Sequence, residues 1–451
     1  MTAIRQRRTR ATVVGLASAA IALIAVVGLS VVGLETLADS TAGRQAAEEL
    51  QPVVAQRLPF TSTALIGVAD EDARLTSLVV GVLESDGTGG SIVQVPVAAD
   101  PSSGNAATVA PLDAILHVAG PIAFREAVER LTGLSFDLIE IVDQERFAQL
   151  ISPLGDMDVN LPGVVRDASS DETWDRGPQS ATAPAAARLV TALDPSLPTW
   201  GYEPVRSAVW EAIAERVGAG IGSASPVPVD SDLPVPSSTD EFLDRLFAGP
   251  VQFRALQLRP VDEDEVEERL DPPYRDPFGS DVAAAVVLLD RAEMLMVFGG
   301  IAPARLGAPI DAPIFRVVNG LTDADTAEIG RTSADLTKTV VNVLMFTKTN
   351  VVSVVDHAES AAPAVTQVWV ANPTLLDGIE ELYEPHFGEL EVAVAEVAID
   401  GIDAEIVLGR SFVDRLAADS SADVAGSPEE SDDTSDDSTD AGADGDDEDD
   451  D

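Results

Sequence analysis

The sequence predicts an α/β protein in which a mixed sheet flanked by helices is followed by a smaller α/β unit, with one transmembrane helix at the amino end. Three observations support this prediction. Strand-like and helix-like apolar periods alternate along the chain, which is typical of mixed α/β structure rather than of a helical bundle or a β-sandwich. Breaks rich in Pro, Gly and Asp interrupt the apolar segments. A single long uncharged run, residues 11–34, stands ahead of them.

The uncharged run is preceded by four arginines within residues 1–10. At a rise of ~1.5 Å per residue, a helix of residues 11–34 crosses a hydrocarbon layer of ~30 Å. Because positive charges stay on the cytoplasmic side, residues 1–10 are predicted to be a cytoplasmic basic segment and the bulk of the chain extracytoplasmic. A cleaved secretory signal is the alternative, but its apolar core is shorter, roughly 7–15 residues, and residues 37–39 form a poor cleavage site. The sequence therefore predicts a single-pass protein of the cell membrane.

Composition limits the chemistry that the chain can carry. It has no cysteine and three widely spaced histidines, His117, His357 and His386. Thiolate metal sites, iron–sulfur clusters and disulfides are therefore excluded. No serine stands in a G-x-S-x-G turn that would support a Ser-His-Asp triad. With 28 basic and 77 acidic residues the formal charge is −49, which disfavours nucleic acid as a partner.

The carboxyl end is the most acidic part of the chain. Residues 418–451 are predicted to be a disordered acidic tail, because like charges repel and apolar residues are scarce there. A solubilising tail is the simpler interpretation, and a binder of divalent cations or of basic envelope groups is the alternative.

The segment between anchor and tail is long enough for more than one domain. Residues 302–313, APARLGAPIDAP, are the best candidate for a domain junction. The sequence thus predicts a larger domain at residues 55–305 and a smaller one at residues 306–417. Residues 223–240 and 261–281 are rich in Pro and Asp and are predicted to be exposed loops on the larger domain.

The larger domain is predicted to begin with a hairpin and a helix. Two β-rich runs flank the turn sequence SDGTGG within residues 78–97. Phe124, Val128 and Leu131 share one helical face, and Gly133 is predicted to end that helix.

A strand at residues 136–142 and a second helix follow. Asp143 is predicted to cap that helix, whose apolar face carries Phe147, Leu150 and Ile151. In the smaller domain, strands are predicted at residues 314–318, 340–346, 367–370, 390–397 and 406–408, and helices at residues 324–336 and 373–382.

Three motifs, in this order, resemble a known family. FDLIEIVDQERFAQLISPLGDMDVNLP at residues 136–162 is similar to that family's strand, helix, glycine turn and D-V-N-x-P ending. PIFRVVNG at residues 313–320 and AEIVLGRSF at residues 404–412 are similar to the opening and the close of its C-terminal LytR-type domain. On these motifs residues 65–417 resemble the LytR-CpsA-Psr proteins of Gram-positive and actinobacterial envelopes. The short amino-terminal anchor also agrees with that family.

The resemblance implies a chemistry and a set of partners. Catalytic members of the family are phosphotransferases that move a polyprenyl-pyrophosphate-linked glycopolymer onto peptidoglycan with Mg²⁺. Such chemistry needs arginines that hold the pyrophosphate and carboxylates that hold the metal. The implied partners are a polyprenyl-linked glycopolymer or another lipid, other envelope proteins or peptidoglycan, and the membrane through the amino-terminal helix.

The chain departs from the family at the charged positions. Arg74-Leu75-Thr76-Ser77 stands where the family has Arg-Ser-Asp-Thr, and Pro96-Val97-Ala98 stands where it has Pro-Arg-Asp. Pro111-Leu112-Asp113-Ala114 replaces Lys-Ile-Asn-x-Ala, and residues 191–193 fall at its Arg-x-Arg element. A partial counterpart of its arginine-glutamine element is kept at Arg206-Ser207. Because valine supplies neither a charge nor a planar fork, each lost group removes ~1.5–3 kcal/mol of charge-assisted hydrogen bonding.

These positions define the candidate site. Arg74 and Arg206 are the candidate catalytic residues. Val97, Leu75 and Asp113 are the candidate substrate-binding residues, with the two apolar side chains lining the cleft. No metal-binding residue is predicted, and Mg²⁺ is the cofactor only of an active enzyme.

Three functions remain open at this point. The favoured one is a non-catalytic, membrane-anchored envelope protein that takes part in glycopolymer attachment or envelope assembly and whose cleft holds a lipid or nothing. The second is a divergent but active phosphotransferase that uses Arg74, Arg206 and either Asp100 or Asp113. The third is a structural protein whose domains bind envelope partners.

Overall fold

The computed structural model of this protein describes residues 56–103, 106–170, 172–194, 197–218, 234–274, 285–307, 312–356, 358 and 361–426. No helix within these ranges is long and apolar enough to cross a membrane. The predicted cytoplasmic segment at residues 1–10, the predicted transmembrane helix at residues 11–34 and most of the predicted tail at residues 418–451 lie outside the described residues. All three stay predictions.

Strands and helices alternate along the described chain. The strands are β1 (Thr63–Ala69), β2 (Leu75–Leu83), β3 (Gly90–Gln94), β4 (Leu138–Asp143), β5 (Met157–Leu161), β6 (Val165–Asp167), β7 (Glu172–Trp174), β8 (Gly177–Ala181), β9 (Val251–Ala255), β10 (Leu258–Pro260), β11 (Val287–Leu289), β12 (Ile314–Asn319), β13 (Asn350–Asp356), β14 (Thr366–Val370), β15 (Leu390–Val394) and β16 (Ala404–Leu408). The α-helices are α1 (Leu112–Thr132), α2 (Gln144–Ile151), α3 (Ala183–Thr191), α4 (Glu203–Val217), α5 (Thr239–Phe247), α6 (Glu263–Arg269), α7 (Arg291–Ile301), α8 (Asp323–Thr326), α9 (Ser333–Phe346), α10 (Leu376–Phe387) and α11 (Arg410–Gly426). The predicted mixed α/β class is confirmed.

The first part of the chain is built on a five-stranded sheet with the order β4-β1-β2-β3-β9. β1 is antiparallel to β2 and parallel to β4, and β3 is antiparallel to β2 and parallel to β9. The carboxyl ends of β1, β3, β4 and β9 therefore lie at one edge, together with the first residues of β2. Ligands of open α/β sheets bind at the edge where parallel strands end, so this edge is the place to look for a site.

The predicted hairpin is confirmed, since β2 and β3 pair antiparallel across the SDGTGG turn. The turn requires its last glycine. Gly90 has φ +143°, and a Cβ on it would lie 2.0 Å from the carbonyl oxygen of Val82. β2 begins earlier than predicted, at Leu75, and all its residues are buried.

Apolar clusters cover both faces of this first sheet. On one face, α2, α4 and α5 contribute Phe147, Trp210 and Phe242. On the other face, α1 and α7 contribute Phe124 and Phe298. Alternate residues of β1 and β2 enter the two clusters, as the two-residue period of a strand requires. The sheet is thus a buried layer between two layers of helices.

The first predicted helix is confirmed along its second half. Phe124, Val128 and Leu131 are buried on α1, and Gly133 ends the helix with φ +73°. An earlier segment of α1 is separated from this half by a kink at Gly120, whose backbone is not helical.

The second predicted helix is confirmed together with the strand before it. The Asp143 carboxylate accepts a hydrogen bond of 2.7 Å from the backbone N–H of Arg146, which satisfies one of the free amides of the first turn of α2. Phe147, Leu150 and Ile151 are buried as predicted.

A second five-stranded sheet has the order β13-β12-β16-β14-β15. β12 lies parallel to β13 and β16, whereas β14 lies antiparallel to β16 and parallel to β15. The aromatic rings of Phe315, Tyr383, Phe387 and Phe412 form a chain of contacts with centroid separations of 5.4 to 6.0 Å in its core. Four of the five strands predicted in this region are confirmed, although β15 ends earlier than predicted, at Val394.

The predicted strand at residues 340–346 is wrong, because these residues form the second half of helix α9. A capping box starts this helix. Its buried residues include Leu336, Val340 and Leu344, which recur every fourth position and so follow a helical period. The strand that pairs with β12 on the side away from β16 is β13, which the sequence analysis did not predict.

The predicted helix at residues 324–336 is interrupted. The structure has the short helix α8, a 3₁₀ turn at Ala327–Ile329 and then the start of α9. Gly330 separates the two helices with φ +64°, a left-handed conformation that ends a helical run. The helix predicted at residues 373–382 is confirmed as a 3₁₀ turn that continues into α10.

The two predicted loops are only partly loops. Residues 261–281 contain helix α6, and Val266 and Leu270 are buried against Val109. Most of residues 223–240 lie outside the described residues, and their last two belong to helix α5. Helix α11 extends to Gly426 and so enters the first part of the predicted tail.

Helix α7 packs against both sheets. Its Met294 and Phe298 belong to a cluster of the first sheet, and its Ala292 belongs to the cluster of the second sheet. A Cβ on Gly299 would lie 3.3 Å from the backbone nitrogen of Val354 on β13, so the helix lies directly against that strand. The division into domains at residues 55–305 and 306–417 stays a prediction.

Candidate functional site

The strand-end edge of the first sheet carries a cleft of about 490 Å³. Its lining includes the carboxylates of Asp70, Glu71, Asp72, Asp167 and Asp194. Arg74 is the one basic side chain among the described residues that line it. We call this cavity the acidic cleft.

The turn between β1 and β2 positions Arg74 at the acidic cleft. Oδ1 of Asp70 accepts hydrogen bonds from the backbone N–H groups of Asp72 (3.0 Å) and Arg74 (2.9 Å). Ala73 sits in the left-handed region with φ +59°, which the two bonds stabilise. Burial raises the pKa of the Asp70 carboxyl against the opposing effect of these hydrogen bonds.

Asp167, on the opposite wall, is held by its own neighbours. The hydroxyl of Ser169 donates to both carboxylate oxygens at 2.9 Å, and that of Ser170 donates to Oδ2 at 2.5 Å. Burial tends to raise the pKa of Asp167, but these hydrogen bonds and that from the Leu193 amide outweigh it and leave the pKa below its usual value. The carboxylate is therefore charged and already saturated with donors.

A group of buried charges lies beside the acidic cleft, at the first turn of α4. Arg206 is 1% exposed and Glu203 is 4% exposed, and Nη1 of Arg206 lies 3.0 Å from Oε1 of Glu203. The side-chain amide of Gln94, at the end of β3, donates to Oε2 of Glu203 at 2.5 Å. The hydroxyl of Ser207 donates in turn to Oε1 of Gln94 at 2.7 Å. We call Arg206, Glu203 and Gln94, together with Asp113, the buried charge cluster.

Asp113 enters this cluster from the start of α1. Its backbone N–H donates to the carbonyl of Val97 at 3.0 Å, and its carboxylate accepts from the Ala114 N–H at 2.7 Å. Burial raises the pKa of the Asp113 carboxyl to about 7, against the lowering effect of the Ala114 amide and of the charges of Arg74 and Arg206. Near neutral pH this carboxyl is therefore divided between its acid and its anion.

Only some of the hydrogen-bond donors of Arg206 have an acceptor. Nη1 is paired with Glu203 and lies 3.5 Å from the carbonyl of Thr199, but Nε and Nη2 are buried without a hydrogen-bond partner among the residues that the structure describes. Its guanidinium also lies 5.6 Å from the ring centroid of Tyr202. Nε and Nη2 form one side of the guanidinium, the side that binds carboxylates and phosphates with two parallel bonds.

Two further cavities flank this region. One of about 510 Å³ is lined by Gln94, Glu203 and Ser207 of the buried region and by Trp200 and Leu256. The other, about 1060 Å³, lies beside α1 and α2 and is lined by His117 and several carboxylates. The buried charge cluster thus lies between the acidic cleft, which Thr199 and Tyr202 line, and the Trp200 cavity.

The structure brings Arg206, Asp113 and the backbone of Val97 together at one place. The Asp113 carboxyl interacts electrostatically with both Arg74 and Arg206, and its N–H donates to the carbonyl of Val97. Leu75 and Val97 are 1% and 0% exposed and lie in an apolar cluster of the first sheet. They form no part of the described lining of the acidic cleft or of the Trp200 cavity, so their contact with a substrate stays a prediction.

Other residues of the site were missed or placed differently by the sequence analysis. Glu203 and Gln94 were missed, although Glu203 stands three residues before Arg206 in a helical segment, a spacing that predicts an ion pair. Asp100, an alternative catalytic residue, is buried and accepts hydrogen bonds from Ser102 and from the Ala110 amide.

The residues of the acidic cleft do not fit a magnesium ion. No group of three or more His, Asp or Glu side chains suited to a metal occurs within the described ranges. Oδ1 of Asp70 is used by the turn amides, and both oxygens of Asp167 are used by the serine hydroxyls. A hard cation needs several free oxygen ligands at once.

Solved structures with a similar fold include three bacterial proteins. TagV of B. subtilis has a TM-score of 0.36 and 14% identity, with 52% of this chain and 93% of TagV covered. TagT of B. subtilis has a TM-score of 0.34 and 11% identity over 53% and 88% of the chains. The LytR-Csp2A-Psr enzyme from Actinomyces oris has a TM-score of 0.30 and 16% identity over 53% and 100%. LytR-CpsA-Psr proteins are thus among the structural neighbours, whereas no protein-family model and no curated protein sequence matches the chain.

Proposed function

We propose that this chain is a membrane-anchored, extracytoplasmic envelope protein of the LytR-CpsA-Psr type. In this proposal it is a non-catalytic member that takes part in glycopolymer attachment or envelope assembly. The motifs in residues 136–162, 313–320 and 404–412 support the family. The uncharged run at residues 11–34 supports the anchor and the location of the bulk outside the cell.

The observation that carries the non-catalytic role is the state of the two arginines. Arg206 is neutralised by Glu203 at 3.0 Å inside the protein. Arg74 faces a cleft with five carboxylates. A pyrophosphate group placed there meets more negative than positive charge, and like charges without a metal between them repel strongly at partly buried sites. Phosphotransfer at this edge is therefore disfavoured.

The divergent phosphotransferase remains the second candidate because of one observation. Nε and Nη2 of Arg206 have no acceptor in the described part of the chain, so an anion that reached them would gain two charge-assisted hydrogen bonds. Asp113, with a pKa of about 7, has the proton affinity that suits a general base. Both residues were candidates of the sequence analysis.

The test is isothermal titration of the full-length protein in detergent micelles with a short-chain polyprenyl pyrophosphate, with and without Mg²⁺. Arg74→Ala and the corresponding pyrophosphate-free polyprenol are measured beside it. We expect no binding that depends on pyrophosphate or on Mg²⁺, because the site lacks net positive charge.

Each outcome has a meaning for the proposal. Binding that requires Mg²⁺ and that Arg74→Ala weakens would contradict the non-catalytic role and favour the phosphotransferase. Equal binding of the polyprenol and its pyrophosphate indicates a lipid-binding member. If neither the polyprenol nor its pyrophosphate binds to a protein that melts cooperatively, partner binding in the envelope is the remaining role.

A further inference from the structure

The buried charge cluster contains its own counter-ions. Glu203 is held by three groups: Nη1 of Arg206 at 3.0 Å, the Gln94 amide at 2.5 Å and the backbone N–H of Val97 at 3.4 Å. A carboxylate with this many donors is fixed in place, as a bound anion would be. Burial raises the pKa of Glu203, and the charge of Arg206 and the Gln94 amide oppose that rise.

The backbone of Val97 connects the two acids of the cluster. Its N–H donates to Glu203 and its carbonyl accepts from the N–H of Asp113. Glu203 and Asp113 therefore approach the arginines from α4 and α1, on the two sides of one residue of the strand-end edge. Asp113 is buried and interacts with the charges of both Arg74 and Arg206.

Arg206 keeps two donors that neither acid uses. Nε and Nη2 are buried, and no described residue accepts a hydrogen bond from either of them. A buried guanidinium with two free donors is costly, and a planar oxyanion is the group that satisfies both at once. Residues that adjoin Arg206 reach the cavities on both sides, Thr199 and Tyr202 on the acidic cleft and Ser207 on the Trp200 cavity. Nε and Nη2 thus have the arrangement that binds an oxyanion with two hydrogen bonds.

We infer that Glu203 and Asp113 are specificity-determining residues: they act as internal counter-anions of Arg206 and Arg74 and thereby exclude phosphate-type oxyanions from this edge of the sheet. The inference rests on the proposed non-catalytic role, for which it supplies the physical cause. It predicts that removing either negative charge, without changing the shape of the side chain, creates an oxyanion site at Nε and Nη2 of Arg206.

The test uses inorganic pyrophosphate as the probe. Full-length wild type, Glu203→Gln and Asp113→Asn are titrated in detergent micelles by calorimetry at constant ionic strength and at pH 8, where Asp113 is ionised because its pKa is about 7. We expect no measurable binding of pyrophosphate to the wild type. Each variant should bind pyrophosphate with a dissociation constant at least about tenfold below the weakest one that the titration can detect. One charge-assisted hydrogen bond supplies a factor of this size. The melting temperature of each variant without ligand verifies that it is folded.

Two further variants make the result specific. Glu215→Gln removes the same charge from an exposed position of the same helix, and no gain in binding is expected from it. Glu203→Gln combined with Arg206→Gln removes the fork, and the gain in binding should disappear.

The failure of the inference can be told apart from the failure of the proposed function. If neither the wild type nor the two folded single variants bind pyrophosphate, the internal counter-anion role is wrong while the non-catalytic role stands. An equal gain in Glu215→Gln, or a gain that survives Arg206→Gln, also overturns the inference. If the wild type itself binds pyrophosphate as tightly as the variants, both proposals fall. Because Glu203 and Asp113 lie on different helices, a folding failure of one variant leaves the other to decide.

Discussion

Asp113 is an acid whose environment raises its pKa into the neutral range. Its carboxyl is buried and feels the charges of Arg74 and Arg206, and burial brings its pKa to about 7 from an ordinary 3.8. The folded protein therefore holds this proton more tightly than the unfolded chain does. The stability that the protonated acid contributes is complete below pH 3.8 and is lost as the pH rises through about 7.

Asp113→Asn should remove this pH dependence. Asparagine is always neutral, so the variant should gain stability relative to the wild type as the pH rises from 5 to 8, by at most ~3 kcal/mol in the free energy of unfolding. Thermal melts of both proteins at pH 5, 6, 7 and 8 measure the difference. Asp72→Asn is the control because Asp72 is exposed. A difference in melting temperature between wild type and Asp113→Asn that does not change with pH would contradict the assignment.

At the residue scale, part of the site was predictable. Arg74, Arg206 and Asp113 were named from a resemblance, and the fold brings them together. Glu203 carried a local signal, its i, i+3 spacing to Arg206. Gln94 carried none, because its contact with Glu203 joins residues 109 positions apart.

The close approach of α5 to β2 is the clearest element-scale constraint. A Cβ on Gly81 would lie 2.7 Å from Cε1 of Phe242, which is fully buried in the cluster of that face. The glycine is needed because the ring occupies the space of a side chain. Such a requirement is invisible in the sequence, where an internal glycine in a strand only suggests a close contact.

Gly81→Ala should therefore destabilise the protein by ~1–3 kcal/mol through overpacking. Urea denaturation followed by tryptophan fluorescence measures the change in the free energy of unfolding. Gly163→Ala serves as the matched control, since nothing lies within 4 Å of a Cβ at that position. Equal effects of the two substitutions would show that the Phe242 contact is not the cause.

Elements with strong local signals were predicted, and elements whose signals conflict were not. The β2–β3 hairpin and the Asp143 cap rest on turn and capping chemistry that acts over a few residues. Residues 340–346 are rich in β-branched and apolar side chains, which a strand and a buried helix share. The capping box of α9 and the position of β13 beside β12 decide in favour of the helix.

At the scale of the whole molecule, α7 connects the two sheets. Phe298 is fully buried in a cluster of the first sheet, and the adjoining Gly299 lies against Val354 of the second. Arg305, just after this helix, pairs with Asp137 and donates from Nε to the carbonyl of Thr61 at 2.8 Å. These contacts predict that the two parts unfold together.

Phe298→Ala should lower the stability of the protein as a unit, by ~3–5 kcal/mol. Calorimetry of the full-length protein should show one transition in the wild type and one transition at lower temperature in the variant. The control is Phe346→Ala, a phenylalanine that is 81% exposed and whose loss should have little effect. A variant in which one transition falls while a second stays at its original temperature would show that α7 does not couple the sheets.

The sequence by itself determined the mixed α/β class, the short-range hairpin and caps, and the identity of Arg74, Arg206 and Asp113 as site candidates. The class, the hairpin and the caps depend on periodicity and on turn chemistry, which act within a short stretch of chain. The three site candidates come from the resemblance of short motifs to a known family. Only the tertiary structure decided that Arg206 is buried beside Glu203, that Gln94 completes the cluster and that the cleft at Arg74 is acidic. Charges far apart in the chain meet at the strand ends, and their balance in a low-dielectric interior cannot be read from spacing along the chain.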